Sequence, residues 1–470
     1  MKPVDPTLLS TDRFLKNIQG NTLKGHGRDY TTHIFVRFRV NRGKTTKEWI
    51  RTFAENHLTS IKKQLEEREA FKKDKKPGNL FASFFLTSSG YEVLGFNDVH
   101  KRFKDEAFLK GMKLRKGELN DPDSRRWESG FRTRIDAMIL LADDDKNRMG
   151  EFAKELIDTL STFCSVCGVE YGNAIRNSAE KGIEHFGYVD GTSQPLFLKE
   201  EIDEYYKLHN IDISDPKSAP DFDPSADTDL ILIPDPYAEQ NDSKPALGSY
   251  FVFRKLEQNV RQFKKAEEIV GEDLFPDLGQ ESKRELAGAY LVGRFEDGTP
   301  VMLDDEDSIP NSAEYNNFNY SKDLSEGRCP HFAHIRKVNP RTSKSSEKMM
   351  ARRGIPFGMR SVDTELEPIM QQMPEAGVGL LFMSYQASIV EQFEHVQKKF
   401  SNDPSFPEKN TGIDPIIGQS VGSHMDRTYQ FPKTYGTASP SIKASFRQFV
   451  HMKGGEYFFA PSLTFLKTVV

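Results

Sequence analysis

The sequence predicts an α+β protein with two domains of similar pattern. The chain has 470 residues, which exceeds the size at which a single hydrophobic core usually stops growing. Hydrophobic segments of strand length alternate with segments of helix length, and the alternation occurs once in each half of the sequence. Hydrophobic residues make up 37% of the chain, with 35 phenylalanines among them, so a sizeable core is expected.

The first half alternates strands and helices. Residues 33–40 are rich in β-branched and aromatic side chains and predict a strand. A helix is expected over residues 45–71, ending in a lysine-rich turn. The segment FASFFLTSSGYEVLGF predicts a strand and then a helix, and IDAMILLADDD predicts a buried strand that three aspartates end. A helix over residues 146–163 then leads into strand-like VCGVEYG.

The second half repeats this pattern after an acidic, proline-containing stretch over residues 200–227. We place the domain boundary in this stretch, which gives an N-terminal domain of residues 1–215 and a C-terminal domain of residues 216–470. DLILIPDP and GSYFVFRKLEQNV predict strands, the second running into a helix, and GVGLLFMSYQASIVEQFEHVQ again predicts a strand followed by a helix. The similar halves suggest a structural duplication, although no repeat is visible at the level of residues.

Composition excludes several classes of function. The net charge of −5 offers no basic stripe for nucleic acid. No segment approaches the ~20 apolar residues of a membrane span, and the N-terminal MKPVDPTLLSTDRFLKN lacks the pattern of a secretory signal. We therefore expect a cytoplasmic protein without nucleic-acid or membrane partners. Its oligomeric state stays open, with a homo-oligomer among the alternatives.

The three cysteines argue against a disulfide framework and for a reducing compartment. Cys164 and Cys167 form a C-x-x-C pair. A zinc site would need a second pair of ligands at suitable spacing, and a redox pair would be expected to open a helix. This pair instead follows a helical segment, so buried structural thiols are the favoured interpretation.

Three segments carry candidate chemistry, and the first is HFGYVDGTSQP. Gly187 and Gly191 stand on either side of Asp190, and glycines allow the tight turns that would present a carboxylate towards a ligand. Short loops of glycine and aspartate are common, so the segment alone is equally a loop with an aspartate cap.

The second segment, RCPHFAHIRKVNPR, carries His331 and His334 among basic residues that include Arg336 and Arg341. Histidines three residues apart could bind zinc from one helical face, but His331 directly follows a proline and no third ligand is near in sequence. One axial bond to haem iron, with guanidinium groups near the two propionates, suits the segment better. Composition alone would favour a core or interface histidine.

The third segment is RRGIPFG, in which glycine and proline predict a rigid turn after Arg352 and Arg353. Such a turn could hold one guanidinium in a fixed position. The alternative is a surface turn with an arginine in a salt bridge.

In their order, residue identities and spacing, these segments resemble those of the dye-decolorizing peroxidases, which are ferredoxin-like haem peroxidases. The resemblance is specifically to the longer bacterial type. HFGYVDG is similar to their Gly-x-x-Asp-Gly signature, CPHFAHIRKVNPR to their proximal-histidine segment and RRGIPFG to their distal-arginine turn. The resemblance extends to IQGNTLKGHGRDYTTHIFVRF, IDAMILLADDD, GLLFMSYQASIVEQFEHVQ and GGEYFFAPS, and so covers nearly the whole chain. It implies two ferredoxin-like domains with antiparallel sheets, arranged like a dimeric α+β barrel, with haem held mainly by the C-terminal half.

The resemblance also implies the site residues. His334 is the expected axial ligand of haem b, because Ala-His-Ile-Arg is the matching stretch, although His331 competes with it. Arg336 and Phe357 are further expected haem-binding residues. An acidic partner for the proximal ring N–H is implied as well, and we consider Glu391 and Glu394 as candidates.

On the distal side, the resemblance implies Asp190 and Arg352 as the catalytic pair, with Arg352 also bound to the cofactor. Arg353 competes with Arg352, and we expect it to point away from the distal pocket because adjacent side chains face different sides. Asp190 would move a proton between the oxygens of hydrogen peroxide, and Arg352 would stabilise developing negative charge. An ordinary aspartate titrates near ~3.9, so an acidic activity optimum is expected.

The implied function is reduction of hydrogen peroxide with electrons from bulky aromatic or dye-like donors. Such donors cannot enter a pocket built for peroxide, so electrons would leave through aromatic side chains, for which 15 tyrosines and two tryptophans offer unassigned routes. Two alternatives stay open. A haem carrier or haem-iron-handling protein would need His334 but would not explain Asp190 and Arg352, and a partner-binding module would hold no haem.

Overall fold

The structure is a computed structural model that describes residues 3–212, 214–215, 218–239, 246–308, 315–359, 370–420 and 427–469. In the N-terminal half, the helices and strands are α1 (Leu9–Asn17), β1 (Tyr30–Phe38), α2 (Gly43–Asn56), α3 (Ile61–Asp74), β2 (Phe81–Leu86), α4 (Ser88–Val93), α5 (Val99–Arg102), α6 (Glu106–Lys110), α7 (Met112–Arg115), α8 (Ser129–Arg132), β3 (Ala137–Asp143), α9 (Lys146–Ser161), β4 (Cys164–Asn173), β5 (Ile175–Arg176), β6 (Gly182–Ile183) and α10 (Lys199–Leu208).

The C-terminal half contains β7 (Ile233–Pro234), β8 (Leu247–Gln258), α11 (Val260–Leu274), α12 (Gln280–Val292), α13 (His334–Val338), α14 (Ser343–Ser346), β9 (Ala351–Arg352), β10 (Ile355–Phe357), β11 (Gly379–Gln386), β12 (Arg427–Thr434), β13 (Thr437–Phe446), β14 (Val450–Ala460) and α15 (Leu463–Thr468). Between β11 and β12, residues Ile389–Glu394 and Val396–Ser401 form π-helical turns.

Each half has the β–α–β–β–α–β order of a ferredoxin-like unit. In the N-terminal sheet the strand order is β4-β1-β3-β2, and β1 pairs antiparallel with both β3 and β4. In the C-terminal sheet the order is β14-β8-β11-β10, again with antiparallel pairing. The predicted α+β fold with two similar antiparallel halves is therefore confirmed.

The two sheets join into one barrel-like unit. β14 pairs with β2 at Phe459 and Leu86, and at the opposite edges β10 lies against β4. A Cβ atom added at Gly172 of β4 would come within 2.5 Å of Ile355 of β10, so the absence of a side chain at this position lets the two strands approach closely. Inside the barrel, Phe35 packs edge-on against Phe253, which links the two halves through one aromatic core.

Several predicted elements differ in detail from the structure. The helix predicted over residues 45–71 is two helices, because the backbone between them donates from Thr59 to the carbonyl of Ala82 and Ser60 caps α3 through the N–H of Lys63. The strand predicted from DLILIPDP is broken: its first two residues belong to a 3-10 turn (Thr228–Leu230), and only β7 within it has sheet pairing. The helix predicted after β11 is π-helical.

The alternation of side chains along β8 and β11 gives the C-terminal sheet two different faces. Phe251 and Phe253 of β8 point into the barrel core, whereas Leu256 of β8 and Leu380 and Phe382 of β11 border a large cavity. The cavity therefore lies on the outer face of the C-terminal sheet. No helix within the described ranges is long and apolar enough to cross a membrane.

Candidate active site

The cavity has a volume of about 600 Å³, within the usual range for cofactor sites. The expected iron ligand His334 and the expected distal pair, Asp190 and Arg352, all border it. Apolar side chains provide much of the rest of the wall, and they come from several elements of the C-terminal half: Leu256, Ile335, Val338, Leu380, Phe382, Phe393, Val396, Ile416, Ile417 and Val450.

His334 is the first residue of α13, and its side chain keeps 25% of its surface exposed, towards this cavity. Its Nδ1 lies 2.8 Å from Oδ2 of Asp414. A carboxylate accepts, so Nδ1 carries the hydrogen and Nε2 keeps its lone pair for a metal. Burial raises the pKa of the Asp414 carboxyl, but the electrostatic attraction and hydrogen bond of the His334 ring and the N–H groups of Ile416 and Ile417 outweigh burial and hold this pKa below its usual value.

The acidic partner of His334 is thus Asp414, and the two candidates chosen from the sequence are wrong. Glu394 is buried and accepts from Arg115 at 2.5 and 3.0 Å and from the hydroxyl of Tyr457 at 3.0 Å. Glu391 is exposed and pairs with Lys348 at 3.1 Å. Both carboxylates are committed to other cations or donors and neither contacts the histidine.

His331, the competing histidine, does not border the cavity. Its side chain is buried, and Nδ1 lies 3.0 Å from a carboxylate oxygen of Glu326, which also accepts the backbone N–H of His331. Glu326 therefore holds this histidine inside the segment that precedes α13.

Asp190 lies in a loop whose backbone requires glycine. Gly187 and Gly191 have φ values of +104° and +82°, which side-chain-bearing residues rarely adopt. A Cβ atom at Gly187 would also lie 2.9 Å from the carboxylate of Glu296. The Asp190 carboxylate is exposed at the cavity and accepts the N–H of Gly191 at 2.6 Å.

Arg352 borders the same cavity, and its Nη2 donates to the carbonyl of Thr192 at 2.6 Å, in the loop that carries Asp190. Burial lowers the pKa of the Arg352 guanidinium, and the charge of Asp190 opposes part of this shift. The two groups therefore lie within electrostatic range of each other.

Arg353 does not point away from the cavity as predicted, since it also contributes to the wall. Its guanidinium donates to the carbonyls of Asn21, Thr22 and Arg352 at 2.7–2.9 Å. The bonds to Asn21 and Thr22 fix the glycine-rich segment before β1 against the C-terminal half. Burial lowers the pKa of Arg353 to about 10.

Arg336 and Phe357, predicted to bind the cofactor, do not border the cavity. Arg336 is buried, donates to Oδ2 of Asp323 at 2.8 Å and bonds the carbonyl of Cys329. It points away because residues two apart on a helix, here positions 334 and 336, face different sides. The ring of Phe357 lies 4.9 Å below the ammonium of Lys255, whose carboxylate partners are Glu128 and Glu170.

Two other arginines lie at the cavity, which Arg336 does not reach. Arg294 and Arg341 border the cavity, and both donate to the side-chain oxygen of Asn316. Burial lowers the pKa of both, and in Arg294 the added charge of Arg341 brings it to about 9. No described carboxylate forms a salt bridge with either one, and Nε of Arg294 is buried without a partner. Two cations without a described carboxylate partner, Arg294 buried and Arg341 half-buried, indicate an anionic ligand.

A further cavity residue that the sequence did not single out is His26, between Gly25 and Gly27. Its Nδ1 accepts the N–H of Arg28 at 3.0 Å, so the neutral ring carries its hydrogen on Nε2. Burial, together with the charges of Arg28, His33 and Arg353, lowers the pKa of His26 to about 3. The only signal in the sequence is a histidine between two glycines, which is too common to identify a site.

Two family models match the chain. Residues 17–175 match the DyP dimeric alpha+beta barrel domain, and residues 223–410 match the Dyp-type peroxidase C-terminal domain. The chain belongs to the dye-decolorizing peroxidase family. This peroxidase is similar to the multifunctional dye peroxidase DyP2 of Amycolatopsis sp., with 39% identity over 97% of this chain and 96% of the relative. It is also similar to the dye-decolorizing peroxidase msp1 of Mycetinis scorodonius, with 29% identity over 82% and 75% of the two chains.

Solved structures agree with the assignment of this chain to the dye-decolorizing peroxidases. The crystal structure of a DyP-type peroxidase from Anabaena sp. superimposes with a TM-score of 0.88 and 36% identity, covering 100% of this chain and 97% of the other. The structure of Amycolatopsis DyP2 superimposes with a TM-score of 0.89, with 36% identity and 99% of each chain covered. The protein is thus a haem-dependent oxidoreductase acting on peroxide. The predicted domain boundary at residues 215 and 216 stays a prediction.

The residues around the cavity of this dye-decolorizing peroxidase fit haem. One imidazole borders the cavity with its second nitrogen bound to a buried carboxylate, the arrangement that orients a metal-binding histidine. Apolar side chains of the C-terminal half would contact the flat faces of a porphyrin, and the uncompensated guanidinium groups of Arg294 and Arg341 would suit its carboxylates.

Proposed function

We propose that this peroxidase reduces hydrogen peroxide with electrons from bulky aromatic or dye-like donors, using haem b bound through His334 and a distal pair formed by Asp190 and Arg352. The observation that carries the proposal is that His334, Asp190 and Arg352, which are far apart in sequence, border one cavity. When bound, haem supplies the iron that coordinates peroxide and stores its oxidising equivalents.

The proton transfers are the part of the reaction for which this chain supplies groups. Asp190 is exposed at the cavity and carries a carboxylate that can take the proton from the inner oxygen of hydrogen peroxide and return it to the outer oxygen, directly or through a water. The outer oxygen then departs as water. Because carboxylates stay ionised at mildly acid pH, where an imidazole base would be protonated, we expect an activity optimum on the acid side of neutrality.

Arg352 supplies fixed positive charge beside this proton transfer. Its guanidinium donates a hydrogen bond to the carbonyl of Thr192 and interacts electrostatically with Asp190. Because it is already held in place, it needs no reorganisation when negative charge develops on the departing oxygen. Loss of such a donor typically raises the barrier by ~3–4 kcal/mol.

Two finer features belong to the same proposal. A cytoplasmic location is supported by Cys164, Cys167 and Cys329, which are all free thiols in this structure.

A protein that only carries haem or releases its iron would need His334 and the arginines around the cavity, but it would have no use for a loop that presents Asp190 beside Arg352.

The test is a pair of aspartate variants of the haem-loaded enzyme. Asp190→Asn keeps the shape of the side chain and removes the base, so it should retain the Soret band while the reaction with peroxide slows by ~10²–10⁴-fold. Asp158→Asn, on the exposed face of α9, is the matched control and should react like the wild type. Unchanged peroxide kinetics in Asp190→Asn would contradict the proposal.

A further inference from the structure

The loop that carries Asp190 is bonded at both ends to the segment that carries Arg352. At one end, Oε1 of Gln194 accepts a hydrogen bond from the backbone N–H of Arg352 at 3.0 Å. The carbonyl of Thr192 accepts a second hydrogen bond, from the guanidinium of Arg352. At the other end, Nε2 of His185 lies 2.8 Å from the carbonyl of Phe357. Asp190 lies between these two attachments.

The bond from Gln194 supplies a partner that the sheet does not provide. Arg353 donates its backbone N–H to the carbonyl of Met383 in β11 at 2.7 Å, so the N–H of Arg352 points to the opposite side, away from that strand. Gln194 reaches this N–H from the loop. The backbone position of Arg352 therefore depends on a side chain three residues beyond Gly191.

The bond from His185 fixes the start of the loop. The ring is fully buried, and because a carbonyl can only accept, Nε2 is the donor. Phe357 is itself held in β10 by pairing with Gly379 of β11. Between His185 and Gln194 the chain passes through Gly187 and Gly191, whose backbone freedom would otherwise allow many loop conformations.

We propose that Gln194 and His185 are positioning residues that set the separation between Asp190 and Arg352 by bonding both ends of the Asp190 loop to the strand segment of Arg352 and Phe357. This inference rests on the proposed function, in which Asp190 and Arg352 act on peroxide. A displacement of about 1 Å in such a pair can cost ~10²-fold in rate.

The test uses near-isosteric variants of the full-length, haem-loaded enzyme. Gln194→Leu removes the acceptor and His185→Phe removes the donor, and each should lower the rate constant for peroxide by about 10- to 100-fold while the Soret band is retained. Gln194→Leu should also weaken cyanide binding to the ferric enzyme and speed amide hydrogen exchange in the peptide that contains Arg352. Gln194→Glu keeps an acceptor oxygen and should restore slow exchange at that amide.

The matched control is Gln19→Leu, which removes a buried glutamine that bonds Phe84 and Pro461 and does not border the cavity. It should lower the thermal midpoint without changing the peroxide or cyanide constants. If it slows the peroxide reaction as much as Gln194→Leu does, general loss of stability is the cause and the inference is overturned. If His185→Phe does not fold, the Gln194 variants decide the matter alone.

A double variant separates positioning from direct action. Because Gln194 is inferred to act through Arg352, adding Gln194→Leu to Arg352→Leu should slow the peroxide reaction no further. A full additional loss in the double variant would mean that Gln194 acts independently of Arg352, which overturns its role in positioning that residue. Unchanged rates in the Gln194 and His185 variants alone would overturn this inference and leave the proposed function standing. Wild-type rates in both Asp190→Asn and Arg352→Leu would instead overturn the proposed function itself.

Discussion

The imidazole of His334 and the carboxylate of Asp414 are joined by a hydrogen bond of 2.8 Å between Nδ1 and Oδ2. Asp414 is fully buried, and its other oxygen accepts the N–H groups of Ile416 and Ile417 at 2.8 and 2.9 Å. The carboxylate is thus held by its own turn, with one oxygen left for the histidine. A ligand histidine bonded to a carboxylate is more electron-donating and favours oxidised iron.

The first prediction concerns this pair. Asp414→Asn replaces the carboxylate with a neutral amide of the same shape, so the ring of His334 should donate less charge to the iron. The reduction potential of the ferric enzyme should rise, and haem affinity should fall by about 10- to 100-fold. Spectroelectrochemical titration and haem-transfer kinetics measure these two changes.

Glu391→Gln is the matched control, since Glu391 is the exposed candidate that the sequence suggested. It should leave the potential at the wild-type value. A shift in Glu391→Gln with none in Asp414→Asn would show that the contact to Asp414 does not persist once haem is bound.

Asp414 illustrates what the sequence could not provide. It lies eighty residues beyond His334, in a segment without regular structure, and the chain brings it back only through the turn that follows the π-helical residues. Glu391 and Glu394 were closer in sequence and stood in a matching segment, but their actual partners are Lys348 and Arg115. Pairing of buried charges depends on tertiary packing, which a single sequence does not show.

The strands of the sheet could be predicted from the sequence far better than the arginines that border the cavity. Strands β1, β2, β3, β8 and β11 follow from hydrophobic runs of strand length. In the G-x-x-D-G and R-R-G-I-P-F-G segments, Gly187, Gly191 and Gly358 adopt the positive φ that favours glycine. Arg294 has no such signal. Its role arises because α12 ends at Gly293 with φ of +99° and the chain turns towards the cavity, which only the fold reveals.

The second prediction separates the two histidines of the proximal segment. His334→Ala removes the nitrogen that borders the cavity and should abolish most of the Soret absorbance of protein expressed with haem supply. His331→Ala removes a buried ring that lies 3.0 Å from Glu326 and does not border the cavity, so the Soret band should remain. Absorption spectra of both purified variants decide it, and the reverse outcome would mean that His331 is the iron ligand.

The third prediction concerns the adjacent arginines, which have different partners. Arg352→Leu removes the charge beside Asp190, so the reaction with peroxide should slow by ~10²–10³-fold. Fluoride and cyanide should also bind the ferric enzyme more weakly, because their negative charge loses its partner. Stopped-flow traces and spectral titrations give both quantities.

Arg353→Leu should act mainly on stability. It leaves the carbonyls of Asn21, Thr22 and Arg352 without their donor, so the free energy of unfolding in urea should fall by about 3 kcal/mol. Peroxide kinetics should change little in the folded fraction. If peroxide reactivity depends on Arg353 and not on Arg352, the distal role belongs to Arg353 and the family assignment is unaffected.

The last prediction is a pH dependence of stability that originates in the barrel core. His33 on β1 is fully buried against Phe253, and burial lowers the pKa of its ring from 6.5 to about 3, an effect that the backbone of Glu170 only partly offsets. Below pH ~6.5 the unfolded chain therefore binds a proton at this residue that the folded protein does not bind. The stability provided by the neutral ring is present above this pH and is lost as the pH falls towards about 3.

His33→Phe removes this proton-binding site and keeps an aromatic ring in the core. The wild type should lose about 1.4 kcal/mol of unfolding free energy per pH unit through His33 between pH ~6 and pH ~3, and the variant should show a slope that is smaller by this amount in urea titrations. Phe253→Leu is the control, because it creates a cavity beside His33 without removing a titrating group, so it should lower stability equally at every pH. Equal slopes in the wild type and His33→Phe would mean that His33 is protonated within the folded core.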